Sequence, residues 1–273
     1  MLSYFKILIF AVILAYLWSC EEVVQIDLND ADPAFVVEGI ICKDSVCTVR
    51  LTKTANYFSQ EEPEVIDDAS IVLKDGAVTE TLTYIGNGYY SGNTIIGTEE
   101  QKYDIEINQN GNIYKGESLM PSGSLLNSVT FSKSNEVSIL NPYGDLVFTI
   151  SCQFNDNPAK DNYYMICFIS EGDLIEKRFF LMTETTANGG SFENTDNIIG
   201  FSESIFYDGG EVEVQLYTID KNIYNYFLQL DDILFWKRRY IPPVPYNPKS
   251  NISNGALGYF AAWAYDSKRI ILE

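Results

Sequence analysis

The sequence predicts a mainly β protein: a β-sandwich first, then a second β-rich domain with one amphipathic α-helix. Three observations predict it. From Phe35 onward, apolar residues recur with period two in short runs. The pairs Asp75-Gly76, Asn87-Gly88, Gly92-Asn93 and Asn110-Gly111 punctuate those runs with turn chemistry. A single stretch near 219–239 changes to three-four spacing, which is the period of a helix. The chain divides on this reading into a leader at 1–19, an acidic tether at 20–33, a sandwich at 34–120 and a second domain at 121–273.

Phe35-Val36-Val37-Glu38-Gly39-Ile40-Ile41 reads as the first strand, and Thr48 to Thr52 returns with Val49 and Leu51 on one face. Ala69, Ile71 and Leu73 alternate before Asp75-Gly76. Tyr103, Ile105 and Ile107 face one way, with Asp104 and Glu106 opposite, and Asn110-Gly111 is the strongest hairpin signal in the chain. Short strands at this spacing fit an immunoglobulin- or transthyretin-like sandwich. Met120-Pro121-Ser122-Gly123-Ser124 marks the boundary. Beyond it, strands are expected at Asn127–Ser134, Leu146–Phe154, Asn162–Ser170, Glu171–Thr185 and Glu211–Thr218.

Four cysteines in this region form two local pairs. A two-residue loop at Asp44-Ser45 would set Cys42 opposite Cys47. A hairpin centred between Ala159 and Lys160 would set Cys152 opposite Cys167, Phe154 opposite Met165 and Ile150 opposite Ile169. Directly opposed strand residues lie within disulfide reach, so both pairs are candidate disulfides; the alternative is four reduced, buried thiols.

Ile219, Ile223, Tyr226, Phe227, Leu230 and Leu234 define the helix, about 219–239, with Asp220 at its N-cap and Lys237-Arg238-Arg239 at its C-terminal end. Ile241-Pro242-Pro243-Val244-Pro245 ends it. The segment 186–200 is rich in Asn and Gly, and a loop of that length is a candidate partner-facing surface, through Asn188, Gly189 and Asn194. The tail residues Asn251, Asn254, Gly255 and Gly258 are a second candidate of that kind; the alternative is a closing turn that packs the last strand.

The N-terminus addresses location. Ile7 to Ala15 is an uninterrupted apolar run behind one cation, Lys6, too short for a membrane span. It closes on Leu17-Trp18-Ser19-Cys20, which resembles the cleavage box of bacterial lipoproteins, so Cys20 is the expected lipidation site and first mature residue. The alternative is an uncleaved N-terminal anchor with Cys20 incidental. Two or three acyl chains hold a protein at a membrane almost permanently. Glu21 and Glu22 resemble an acidic signal for the outer face of the outer membrane, with the periplasmic face as the alternative.

Composition sets limits on function. With 46% hydrophobic residues the chain can fill a core. A net charge of −20 repels nucleic acid, so no nucleic-acid partner is expected. The chain contains 0 histidines, which removes Ser-His-Asp and Cys-His catalysis and the usual zinc ligand sets. Asp27-x-Asn29-Asp30-x-Asp32 lacks the Gly and distal Glu of a calcium loop, so neither metal nor cofactor is expected. No carboxylate pair stands in a recognisable catalytic motif, and no enzyme activity is expected.

The tail Tyr246-Asn247-Pro248, then Ser250-Asn251-Ile252-Ser253-Asn254-Gly255-Ala256-Leu257-Gly258-Tyr259-Phe260, resembles that of the domain of unknown function 4249 family of Bacteroidetes envelope lipoproteins. Cys20-Glu21-Glu22, Phe35-Val36-Val37-Glu38-Gly39, Asp68-Ala69-x-Ile71-Val72 and Gly88-Tyr89-Tyr90 fit the same family in the same order. The resemblance implies a binding accessory to a TonB-dependent outer-membrane receptor, with an unknown nutrient as ligand. The alternative is a structural or adhesive envelope lipoprotein without a small-molecule ligand. The family defines no catalytic residues to carry over.

Overall fold

The computed structural model describes residues 33–55, 62–134, 147–154, 161–170, 172–183, 199–202, 210–234 and 246–272. The chain divides into two units, Met1–Asp32 and Pro33–Glu273, and all described residues belong to the second.

The expected first hairpin forms from β1 (Phe35–Cys42) and β2 (Val46–Lys53). Next come β3 (Ser70–Lys74), β4 (Thr79–Thr81), β5 (Thr83–Gly86), β6 (Tyr89–Ile96), β7 (Lys102–Gln109) and β8 (Asn112–Leu119). The second half supplies β9 (Leu126–Ser134), β10 (Val147–Phe154), β11 (Tyr163–Ser170), β12 (Asp173–Thr183), β13 (Ile199–Ser202) and β14 (Glu211–Ile219). Helix α1 (Lys221–Leu234) and the long strand β15 (Leu257–Ile271) complete the order. The fold is mainly β, and its N-terminal half is a β-sandwich.

One eight-stranded sheet, β12-β11-β14-β15-β1-β2-β6-β5, runs through the whole unit. A four-stranded sheet, β4-β3-β7-β8, and a three-stranded sheet, β13-β10-β9, complete the set. β15 joins the halves. It runs parallel to β1, pairing Val37 with Gly258 and Gly39 with Phe260, and then antiparallel to β14, pairing Tyr217 with Tyr265 and Val212 with Ile270. Alternate residues of a strand face opposite ways, and β15 uses this to serve three cores. Phe260 and Ala262 enter the first core with Val37, Leu51, Tyr90 and Ile105. Ile270 packs at the second, with Phe154, Tyr164 and Leu216. Ala261 and Trp263 face the third, with Ile223 and Phe227 of α1. The segment around Met120–Ser124, expected as a boundary, is bolted down: Met120 is fully buried, and the Ser124 N–H donates to Thr218 Oγ1 at 3.1 Å.

Turn chemistry decides the local geometry. Asn87-Gly88 and Asn110-Gly111 have positive φ at both residues, which matches the right-handed twist of the strands they connect. Gly92-Asn93, expected as a turn, lies inside β6 and marks a bulge. Between the pairs Thr48↔Ser91 and Val46↔Ile96 the register slips. The N–H groups thereby released are taken by a side chain from the facing sheet, Glu80: Thr94 N donates at 2.9 Å, Ile95 N at 2.8 Å, and Asn93 N joins them. Burial pushes the Glu80 carboxyl upward, but these donors outweigh it and hold its pKa below the usual value.

The two expected disulfides are corrected. The first loop spans Lys43 to Ser45, with Asp44 at φ 59°, so Ile41 rather than Cys42 lies opposite Cys47. A slip of one residue sends the two side chains to opposite faces. Cys47 sits in the first core, while Cys42 lies on the helix side, where its Sγ accepts from Trp263 Nε1 at 3.0 Å. The β10–β11 hairpin does not form either. Cys152 pairs with Val129 on β9, and Cys167 with Phe179 on β12 and Gln215 on β14. β10 and β11 face each other across the second core instead, where Phe154 and Tyr164 meet edge to face at 4.8 Å. All four thiols are free. Burial pushes Cys47, Cys152 and Cys167 up to about 12, which leaves them unreactive.

Candidate functional site

The tail residues singled out in the sequence come together, and they act on the backbone. At Asn254 and Gly255 φ is 59° and 74°, and the chain reverses there. The Asn251 amide donates to Glu117 O at 3.0 Å and Phe260 O at 2.7 Å, and its Oδ1 accepts from Phe260 N at 2.9 Å. Ser253 N donates to Lys115 O at 2.8 Å, and its Oγ accepts from Lys115 N at 2.8 Å. Residues 250–253 therefore clasp the outer edge of β8, an edge that would otherwise invite another strand. Gly258, at φ 86°, lies so close to β1 that a Cβ there would stand 1.9 Å from Val37 O. Asn188, Gly189, Asn194 and Cys20, with the Asp27–Asp32 run and the Lys237–Arg239 trio, lie outside the described residues.

The clasp forms a ridge between two open depressions. One, about 580 Å³, is lined by the outward charges of β3, β7 and β8, among them Lys74, Asp104, Glu106 and Lys115. Its carboxylates are paired: Lys115 Nζ meets Glu106 at 2.9 Å, and Lys102 Nζ meets Glu117 at 2.7 Å and Asp104 at 3.5 Å. The hydrogen bond from Lys115, reinforced by its charge, lowers the Glu106 pKa.

The other depression, about 310 Å³, lies between α1 and the tail. Asn222, Asn225 and Gln229 line it from one helix face, opposite Lys249, Ser250, Asn251 and Glu117. Spacing of three and four residues stacks side chains on one side of a helix, so this amide row was readable from sequence but was overshadowed by the apolar pattern. Asp220 fixes the start of the helix. Its Oδ1 accepts from Asn222 N at 2.8 Å and Ile223 N at 3.0 Å, and its Oδ2 accepts from Ser118 Oγ. Gln229 Oε1 accepts from Lys249 N at 2.9 Å, which ties the far end of the row to the tail.

An amide offers a donor and an acceptor side by side, and a row of them suits a ligand rich in hydroxyl or amide groups. Among the described residues, the carboxylates whose pKa moves, Glu80, Glu106 and Glu213, all move down, and Glu213 does so through hydrogen bonds from Gln215 and Arg269. They are settled anions, suited to accepting hydrogen bonds rather than to donating protons at neutral pH. Among the described residues no group of three or more metal-ligating side chains is assembled.

The comparison with curated proteins gives no match. Among solved structures, domains A168–A170 of titin are similar at 10% identity and a TM-score of 0.19, over 69% of this chain and 61% of that one, which is less than two thirds of the titin chain. The family model described as Domain of unknown function (DUF4249) matches residues 21–269. The chain belongs to the domain of unknown function 4249 family.

Proposed function

We propose that this protein is an outer-membrane lipoprotein, acylated at Cys20 and carried on the cell surface, that serves as a non-catalytic binding accessory to a TonB-dependent transporter. The observation that carries this reading is the N-terminal sequence, an apolar leader closing on Leu17-Trp18-Ser19-Cys20 with Glu21 and Glu22 directly behind. The chemistry of the folded unit supports it. The amide row of α1 beside the Asn251 clasp presents an open polar surface suited to capturing a hydroxyl- or amide-rich nutrient. Glu106 and Glu117 next to it are ion-paired, a setting for hydrogen bonding rather than for proton transfer.

The test is purification of the tagged lipoprotein from outer membranes in mild detergent, with mass spectrometry of what accompanies it. A stoichiometric TonB-dependent receptor is expected. Recovery of the lipoprotein alone, under conditions that preserve a known receptor–lipoprotein pair, would overturn the accessory role in favour of an adhesive or structural one. Intact mass of the N-terminal peptide reads the anchor separately: acyl chains on Cys20 are expected, and Cys20→Ala should abolish them.

A further inference from the structure

The chain comes into the folded unit at one end of the N-terminal sandwich, and that end carries exposed apolar side chains. Phe35 opens β1 there, and its ring stacks on Tyr114 at 4.3 Å. The register brings both Asn-Gly hairpin tips to the same level. Leu51, the partner of Val37, donates from its N–H to Gly88 O at 2.9 Å, and Val65 bridges to Thr52, the partner of Val36. Asn110 and Gln109, at the other tip, bond to Asp68 just before β3. Around these tips Ile85 is 63% exposed, Ile113 45%, Val65 41%, and Tyr84 and Tyr89 39% each. A type I′ turn favours Asn and Gly at its centre but calls for no isoleucine beside it. Scattered apolar residues are ordinary on a surface; here they gather at the end from which the chain leads back to Cys20.

We infer that this end of the sandwich rests on a zwitterionic lipid surface, with Ile85 and Ile113 at the hairpin tips reaching the headgroup layer. The inference builds on the proposed acylation of Cys20. Twelve residues, Glu21 to Asp32, separate Cys20 from Pro33, so the reach is at most about 45 Å and a flexible chain would average about 20 Å. An anchor at Cys20 therefore biases this end, where the chain enters the unit, towards the bilayer. Tyrosine and aliphatic side chains suit the boundary between headgroups and acyl chains. Acidic neighbours choose the lipid: Asp67 and Asp68 lie at the same end and repel an anionic surface, while Glu64 is neutralised by Lys53 at 2.7 Å.

The experiment uses the acylated full-length protein in phosphatidylcholine vesicles. Ile85→Cys, Ile113→Cys and, on the hairpin loop at the opposite end, Ser45→Cys are each labelled with an environment-sensitive dye. The buried native thiols Cys47, Cys152 and Cys167 stay unlabelled at neutral pH, and the half-buried Cys42 is replaced by Ser in all three variants. Lipids brominated near the headgroup should quench the dye at 85 and 113 several-fold more than at 45, and anionic lipid mixed into the vesicles should reduce that difference. Equal quenching at all three positions, with acyl chains verified by intact mass, would overturn the membrane contact and leave the anchor standing. Absence of acyl chains would overturn both.

Discussion

The first and second cores lie on the same face of one sheet and are built in different ways. The first carries three hairpins closed by local turns, β1–β2, β5–β6 and β7–β8, which the longer-range pairs β2–β6 and β3–β7 knit together. In the second, β10 turns away from β11 and pairs with β9 and β13, while β11 reaches on to β14. A hairpin closes a short loop at small entropic cost; the second core keeps one such tight pair, β11–β12, and otherwise rests on β11 meeting β14 and β14 meeting β15 across longer stretches of chain. β15 is common to both, so the two constructions cannot be fully independent.

The sharpest way to break the comparison is to strike the shared strand. Gly258→Val puts a β-branched side chain at φ 86° and against Val37 O. It should cost at least about 4 kcal/mol, and the loss should appear in both halves. Urea unfolding followed by circular dichroism, with hydrogen exchange read separately on β2 and β11, measures this. Loss confined to β2 would mean that the second core stands without the pairing of β15 to β1.

Phe154→Ala asks the opposite question. Phe154 is fully buried between the layers of the second core, against Tyr164. Its truncation should cost about 3–5 kcal/mol. Protection should fall on β10, β11 and β14 and survive on β2 and β7. An equal fall everywhere would mean that the two cores unfold as one cooperative block.

Glu80→Gln tests the first core alone. The neutral amide turns a donor towards the bulge of β6, and one of the three N–H groups loses its acceptor. The cost should be about 1–3 kcal/mol. The pH dependence carries a sign as well. The folded pKa of Glu80 lies below its ordinary 4.5, so its contribution is complete above about pH 4.5 and vanishes as the pH falls through the folded value. Glu80→Gln should therefore flatten the acid limb of the stability curve. A variant that remained as acid-sensitive as the parent would show that other carboxylates set that limb.

What the sequence revealed follows the same division. Asn87-Gly88 and Asn110-Gly111 announce their hairpins because turn type depends on the two residues themselves. The alternation in β10 and β11 was equally plain, but period two reports only that one face is buried. It does not say whether the partner is hydrogen-bonded alongside or packed across a core, and for that reason the Cys152–Cys167 register failed. The Cys42–Cys47 register failed for a smaller reason, one residue at Asp44. Glu80 was invisible, since a lone glutamate gives no hint that it completes a bulge on a facing sheet. Gly258 was legible as a close approach, and Asn251 as part of a closing turn, although its bonds to Phe260 and Glu117 needed the fold.

The smallest effect on stability should come from Asn225→Ala. Asn225 is exposed on α1, in the middle of the amide row, away from Ile223 and Phe227 that hold the helix to the sheet. Unfolding should move by no more than about 0.5 kcal/mol. This leaves a fold against which binding can be compared. Parent and variant immobilised side by side and exposed to a panel of oligosaccharides and short peptides should part company only on a ligand held in the amide-lined depression. A ligand that bound both equally would lie elsewhere, and a stability loss well beyond the expected range would place Asn225 among the residues that hold α1 in position.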